Sequence, residues 1–379
     1  MGDKFKISNI KLEKEYIKIK WQDKKISKFH FLWLRDNCPS AIHPDSKMRK
    51  FNLLSVSKNI HPTNIKEENN NLIVFWSEND HISHYDLKWL RDHCYTEINN
   101  QEYKSPYVFW NVNLKNEFDL ITLNHDKIIN EKNELIRWLE LLHCYGLAII
   151  KNAPTKKKSA FKVLKCISHH RETFFGTPFE VINIPKPNNQ AYTSDALTNH
   201  TDLPYFEYAP GYQFLHCLQN NTTGGDSTVV DGFAIADYLR NQEKEIFNII
   251  TTTQVKFKDN DFTQKAIRIL HSPIITLTKD GDFNDVRINM GAMAAIDIHP
   301  NKMKKFYEAY RFFTSMLHDA KFMIKFRLEP GNIFCFNNRR VLHGRSAFDP
   351  SSGNRHLQGY YIERDDIISR LNYFNNVKV

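Results

Sequence analysis

No stretch of this 379-residue chain approaches the roughly 20 consecutive apolar residues that a membrane-spanning helix needs. The start, M-G-D-K-F-K-I-S-N-I-K, has no apolar core of the kind a secretory signal requires. Gly2 also lacks the downstream Ser or Thr of a myristoylation signal. Cysteine is sparse. Cys38, Cys94, Cys144, Cys166, Cys217 and Cys335 are scattered, which argues for reduced, mostly buried thiols and against a disulfide framework. A soluble cytoplasmic protein with no membrane partner is the expectation. Glycine motifs are missing too. There is no G-x-G-x-x-G, no G-x-x-x-x-G-K-S/T and no G-x-S-x-G, so dinucleotide, P-loop and nucleophile-elbow readings have no footing. The net charge is +9, yet the single dense basic run is Lys156-Lys157-Lys158. Without a basic stripe interleaved with aromatics, nucleic acid is not expected as a partner. The positive balance suits small anions equally well.

The length allows one large domain or two ordinary ones. Residues 1–105 read as a small β-rich domain, with strand candidates at 17–21, 29–34 and 72–76. W-L-R-D-N-C at 33–38 is echoed by W-L-R-D-H-C at 89–94. The flanks differ, strand-like before the first and helix-like before the second, so the echo reads as coincidence. Cys38, His43 and His81 are three candidate zinc ligands, one short of a closed tetrahedral set. A buried cysteine with surface histidines is the plainer reading of their spacing.

Residues 106–379 read as a second domain. Helix-spaced apolar residues mark 130–142, 159–170 and 302–317, and Asp231 looks like the N-cap of a helix over 232–240. Short strands are expected at 147–150, 228–230, 322–327, 332–336 and 358–362, joined by Gly, Pro and Asn turns. The fold class is mainly β with flanking helices (α+β), as a barrel or sandwich.

The chemistry gathers around Q-A-Y-T-S-D-A-L-T-N-H-T-D-L-P-Y, residues 190–205. In an extended segment, residues two apart share a side, so His200 and Asp202 can grip one metal ion. A lone His343 follows in V-L-H-G-R, and Arg355 lies twelve residues beyond it. Two histidines and one carboxylate, with the remaining positions open, suit non-haem Fe(II). An arginine suits the far carboxylate of a dicarboxylic co-substrate that chelates the iron at its other end. For His200 the bland alternative is a satisfied core histidine, and for Arg355 a surface ion pair.

The chain resembles the γ-butyrobetaine dioxygenase and trimethyllysine dioxygenase family. The resemblance rests on N-H-T-D-L-P-Y, P-G-Y-Q-F-L-H-C, T-G-G-D-S-T-V-V-D-G-F, V-L-H-G-R-S-A-F and R-H-L-Q-G-Y-Y, with W-L-R-D-N-C-P-S in the N-terminal part. It implies a distorted double-stranded β-helix (jelly roll) preceded by the small β-rich domain. It implies Fe(II) on His200, Asp202 and His343, 2-oxoglutarate on Arg355 with Ser227 beside it, and O2 at the last open position. A small trimethylammonium substrate would be held by Tyr192, Phe175, Phe179 and Tyr361, with Asn189 a polar residue nearby. Phe175 and Phe179 fall where the animal enzymes carry Tyr and Trp. Met290-Gly291-Ala292 stands where they carry an Asn pair near the substrate. In the zinc motif, Ser40 and His43 replace two thiolates, while His81 matches the family's histidine. The implied activity is hydroxylation of γ-butyrobetaine to L-carnitine, with trimethyllysine and 2-trimethylaminoethylphosphonate as alternative substrates. A non-catalytic β-barrel binding protein is the alternative from another class. The N-terminal domain can also be read as an interaction module, and a homodimer is the expected assembly.

Overall fold

The computed structural model describes residues 5–78, 80–96, 105–184 and 192–376. The chain divides into two compact units, Met1–Lys104 and Ser105–Val379.

The first unit is built from one pattern used twice. Strands Ile7–Leu12, Tyr16–Trp21 and Ile26–His30 form an antiparallel meander that runs into helix Phe31–Asp36. Strands Pro62–Glu68, Asn71–Trp76 and Ile82–Asp86 form a second meander that runs into helix Leu87–Asp92. Each middle strand ends in a buried tryptophan, and each tryptophan donates its indole N–H to a buried serine in the next strand. The pairs are Trp21 to Ser27 at 2.8 Å and Trp76 to Ser83 at 2.9 Å. The two helices meet through Trp33 and Trp89, with rings 5.7 Å apart. The W-L-R-D echo is therefore a structural duplication, not the coincidence its flanks suggest. The strand expected at 29–34 stops at His30 for a related reason. Phe31 and Leu34 are the buried residues after it, and their i, i+3 spacing is helical.

Of the three candidate zinc ligands, Cys38 and His81 come together and His43 does not join them. Cys38 Sγ lies 3.1 Å from Ser40 Oγ and 3.4 Å from His81 Nε2. His43 turns away, its Nδ1 accepting the backbone N–H groups of Asp45 and Ser46. Among the described residues, Cys38, His43 and His81 do not form a ligand cluster. Cys38, Ser40 and His81 thus form a hydrogen-bonded contact.

The second unit is a distorted double-stranded β-helix. Its larger sheet has the strand order Thr122–Asn124, Leu147–Lys151, Ile333–Asn337, Tyr212–Asn220, Arg355–Ile362, Phe179–Ile182. The smaller sheet has the order Leu197–His200, Val341–Arg345, Ser227–Asp231, Ile324–Phe326. Val229, Val341 and Ile324 of the small sheet share one core with Phe214, Phe334 and Phe336 of the large sheet. Val230 and Leu342 point the other way, into a core made with helices Gly232–Gln242 and Pro300–Met316. Period-two alternation thus splits each small-sheet strand between two cores. All five residues of Ile333–Asn337 are buried, because helix Lys132–Cys144 covers the outer face of the large sheet through Trp138, Leu139 and Leu142. The helix expected over 159–170 contracts to Phe161–Leu164.

Candidate active site

Strand register assembles the metal-ligand candidates. His200, the last residue of its strand, pairs with His343, and His343 pairs with Val229 on its other side. Paired residues in an antiparallel ladder point the same way, so both imidazoles face the interior between the sheets. There the His343 ring packs 4.6 Å from Phe336. Asp202 lies just past the strand, in a turn clamped from both sides. Thr201 donates its N–H to Ile288 O at 2.7 Å and its hydroxyl to Val286 O at 2.8 Å. Asn338 accepts the Asp202 N–H at 2.8 Å and donates its amide to Asp202 O at 3.1 Å. The next residue, Leu203, is held at φ 54°. That left-handed backbone is costly for a leucine and belongs to a turn imposed by its surroundings.

His200 Nε2 lies 3.1 Å, and His343 Nε2 3.7 Å, from Asp202 Oδ1. One ligand atom from each of the three residues falls within 4.8 Å of the others. His200 Nδ1 donates to Thr198 O at 2.8 Å, which fixes the tautomer and leaves Nε2 free to ligate. Burial, aided by the neighbouring His200 ring, lowers the pKa of His343 to about 3, so its imidazole is neutral and ligand-ready. Burial works against ionising Asp202. The two histidines and the Tyr361 hydroxyl, which donates to Asp202 Oδ2 at 2.7 Å, overcome it and hold the carboxyl well below its usual range. Tyr361 itself stays a phenol, because burial and Asp202 push its pKa up. Two imidazoles and one carboxylate, with the remaining directions open to a cavity, fit Fe(II).

That cavity has a volume of about 340 Å³. His200 and Asp202 line it together with Phe175, Phe179, Tyr192 and Tyr361. Phe179 stacks on Tyr361 with centroids 5.0 Å apart, and Phe175 lies 6.2 Å from Phe179. Gly359 makes the stack possible, since a Cβ there would run into the Phe179 ring. Four aromatic residues expected from the sequence therefore meet beside the triad. Asn189 lies outside the described residues.

A family model described as "Taurine catabolism dioxygenase TauD, TfdA family" matches residues 113–361. A second, described as "Gamma-butyrobetaine hydroxylase-like, N-terminal", matches residues 8–91. The chain is 36% identical to a γ-butyrobetaine dioxygenase of Pseudomonas sp. (strain AK-1), covering 94% of this chain and 92% of that protein. It is 29% identical to the human γ-butyrobetaine dioxygenase over 94% and 93% of the two chains. It is 31% identical to the mitochondrial trimethyllysine dioxygenase of Rattus norvegicus, covering 91% and 82%. The chain belongs to the TauD/TfdA dioxygenase family. It is an oxygenase that works with Fe(II) and 2-oxoglutarate.

In this TauD-family dioxygenase the two candidate co-substrate residues stand apart from the 340 Å³ cavity, in whose lining they do not appear. Ser227 is buried on the small sheet opposite Arg345, two residues from Val229 and on the same face as His343. Arg355 opens its large-sheet strand and packs 5.8 Å from Phe348. Among the described residues Arg355 makes no ion pair, and its buried Nε has no hydrogen-bond partner. Burial, then the nearby Arg345 charge, lowers the pKa of Arg355 to about 9. A desolvated, uncompensated guanidinium is a fitting receptor for a carboxylate.

Sequence reasoning missed Asn338, Tyr205 and Lys258. Asn338 is fully buried and locks the Asp202 turn, and its only signal was an Asn pair just after a strand. Tyr205 stood within the N-H-T-D-L-P-Y motif and lines the cavity. Lys258 lines it too, from a hairpin more than 50 residues downstream of the triad's first ligand.

No helix among the described residues is long and apolar enough to cross a membrane.

Proposed function

We propose that this dioxygenase hydroxylates a small trimethylammonium acid, γ-butyrobetaine first among them, to give L-carnitine. The observation that carries the reading is the aromatic wall beside the triad, formed by Tyr192, Phe175, Phe179 and Tyr361. A trimethylammonium group has no N–H to donate. It binds instead to aromatic faces, each worth about 0.5–2 kcal/mol according to desolvation. The named activities of the Pseudomonas and human relatives support the same class of substrate.

In this reading His200, Asp202 and His343 hold Fe(II), and Arg355, with Ser227 nearby, holds the far carboxylate of 2-oxoglutarate. With both bound, O2 is used to convert the co-substrate to succinate and CO2 and to place a hydroxyl on an unactivated carbon. The protein orients and dries the site. Tyr361 is committed to Asp202 through its hydroxyl, so it offers the substrate its ring face alone. Leu203 and Phe179, both buried, pack with Tyr361 in one apolar cluster behind the wall.

The direct test is succinate formation with Fe(II), 2-oxoglutarate and a panel of quaternary amines. γ-Butyrobetaine should stimulate it most. Absence of stimulation by every trimethylammonium compound would overturn the reading.

Two variants probe the separate halves of the site. Arg355→Met should raise the KM for 2-oxoglutarate about 10- to 100-fold, as expected for loss of charged hydrogen bonds. Iron binding and the KM for the amine should stay near wild type. An unchanged 2-oxoglutarate KM would place that carboxylate elsewhere. Gly359→Ala should push Phe179 off Tyr361, destabilise the protein by about 1–3 kcal/mol through overpacking, and raise the KM for the amine. Thermal melting and steady-state kinetics read both effects, and a variant with wild-type values would mean the stack is not needed.

A further inference from the structure

The cavity needs a second recognition element that the aromatic wall does not supply. A trimethylammonium acid carries a positive head and a negative tail, and the tail must also leave water. A buried carboxylate without a partner is costly. The segment after Asn289 offers little help. Gly291 and Ala292 line the cavity without polar side chains. The Asn289 side chain is already used, with Oδ1 accepting the Gly291 N–H of its own turn at 3.0 Å and Nδ2 reaching Thr201 O at 3.5 Å.

Lys258 is different. Among the described lining residues it is the one lysine or arginine, and no ion pair or hydrogen bond of its side chain is found among the described residues. Its neighbour Asp259 does not neutralise it, because Arg268 pairs with Asp259 at 2.8 Å. The strand that carries Lys258, Val255–Asp261, is also tied to both other parts of the cavity wall. Its Phe257 bridges Met293, and Lys256 O accepts the Ala294 N–H at 2.8 Å, which fixes it against the Asn289–Ala292 segment. The Arg268 guanidinium, on the paired strand, lies 4.0 Å from the Phe174 ring, and Phe174 packs 4.3 Å from Phe175 of the aromatic wall. A hairpin anchored at both places holds a lysine stem where it can reach into the cavity.

We propose that Lys258 receives the anionic end of the substrate, its ammonium binding a carboxylate while the aromatic wall binds the trimethylammonium head. The assignment rests on the substrate class proposed above and adds a specificity to it. A tail of net charge −1, as in γ-butyrobetaine, meets only attraction from Lys258. The tail of trimethyllysine carries an ammonium beside its carboxylate and so gains little. Lys258 therefore selects trimethylammonium acids without an α-amino group.

The test compares wild type, Lys258→Met and Lys258→Arg on three compounds: γ-butyrobetaine, its uncharged primary amide, and trimethyllysine. Succinate formation is the readout, with the KM for 2-oxoglutarate and the melting temperature as controls of folding. Wild type should prefer the carboxylate over the amide, and over trimethyllysine, by about 10- to 100-fold in kcat/KM. Lys258→Met should lose most of both preferences, chiefly by raising the KM for γ-butyrobetaine, with the 2-oxoglutarate KM and melting temperature held. Lys258→Arg should retain most of the carboxylate preference. A Lys258→Met enzyme that keeps the wild-type carboxylate-over-amide ratio overturns the role of Lys258 alone, as does a wild type that does not discriminate the two. A wild type that turns over none of the three overturns the substrate class, and this assignment with it.

Discussion

His200→Ala should leave a folded protein whose substrate-stimulated succinate formation is more than about 100-fold below wild type. The bound follows from how metal sites respond to damage. Loss of an outer partner that merely orients a ligand costs about 10- to 100-fold in affinity or activity, and loss of the ligand itself must cost more. His200 is placed to be such a ligand, with Nδ1 held by Thr198 O and Nε2 3.1 Å from the Asp202 carboxylate. Without it Asp202 and His343 are left, and two donors do not define a face of the metal. The variant should fold, because the turn that presents Asp202 is held independently of His200 by the Thr201 hydroxyl on Val286 O and by the Asn338 side chain on the Asp202 N–H. The Asp202 carboxyl should also lose part of what keeps it ionised, since His200 is among the groups that lower its pKa. Iron stoichiometry after purification, circular dichroism and succinate formation together check the prediction. A folded, iron-loaded, fully active His200→Ala would refute the metal assignment.

The triad was legible in the sequence because its logic is short-range at one end and motif-borne at the other. H-x-D needs only the local chain to bring two ligands together, and His343 announced itself through a strand-flanked H-G-R. The actual device is subtler than a continuous strand. His200 ends the strand, and Asp202 reaches the metal side through a turn that carries a left-handed leucine. The aromatic wall was legible in outline, since Tyr192 and the Phe175–Phe179 segment lie just upstream of the motif. Lys258 and Asn338 were not. Each reaches the site through contacts 50 or more residues away in sequence, which no spacing rule encodes. The duplicated N-terminal unit was underrated for a physical reason. Its two halves share a burial pattern and a Trp–Ser hydrogen bond but few identities outside W-L-R-D, and a pattern of buried positions survives changes that erase letters. At the candidate zinc residues, residue type alone does not say which side chains come together. His43 is of a ligating type, yet its nitrogen is used by two backbone amides of its own loop.

Arg340→Met should be the most damaging single change to stability. Arg340 and Asp231 are both buried, with side chains shielded completely from solvent. The guanidinium grips the carboxylate at two points, Nε to Oδ1 at 3.0 Å and Nη2 to Oδ2 at 2.8 Å. Its remaining donors satisfy Cys144 O at 2.7 Å and Val108 O at 2.6 Å. Asp231 also caps helix Gly232–Gln242 by accepting the Phe233 N–H, and accepts the Trp110 N–H. The pair thus ties the start of that helix, the end of helix Lys132–Cys144 and the 108–110 segment to the turn that enters the His343 strand. Intact, such a pair adds little net stability, because desolvation offsets the attraction. Broken on one side, it leaves a buried carboxylate without its counter-charge and takes the guanidinium away from Val108 O, which costs about 3–5 kcal/mol. For a unit of this size that corresponds to a melting temperature lower by roughly 6–20 °C. Arg340→Lys should fall between, since an ammonium supplies charge without the planar fork. Adding a second change, Asp231→Asn, to Arg340→Met should recover part of the loss, because the amide oxygen can still cap the helix while the buried charge is gone. Calorimetric melting of the four proteins decides the matter. A melting temperature of Arg340→Met within about 2 °C of wild type would mean that water reaches Asp231 and the pair is not the buried tie its geometry describes.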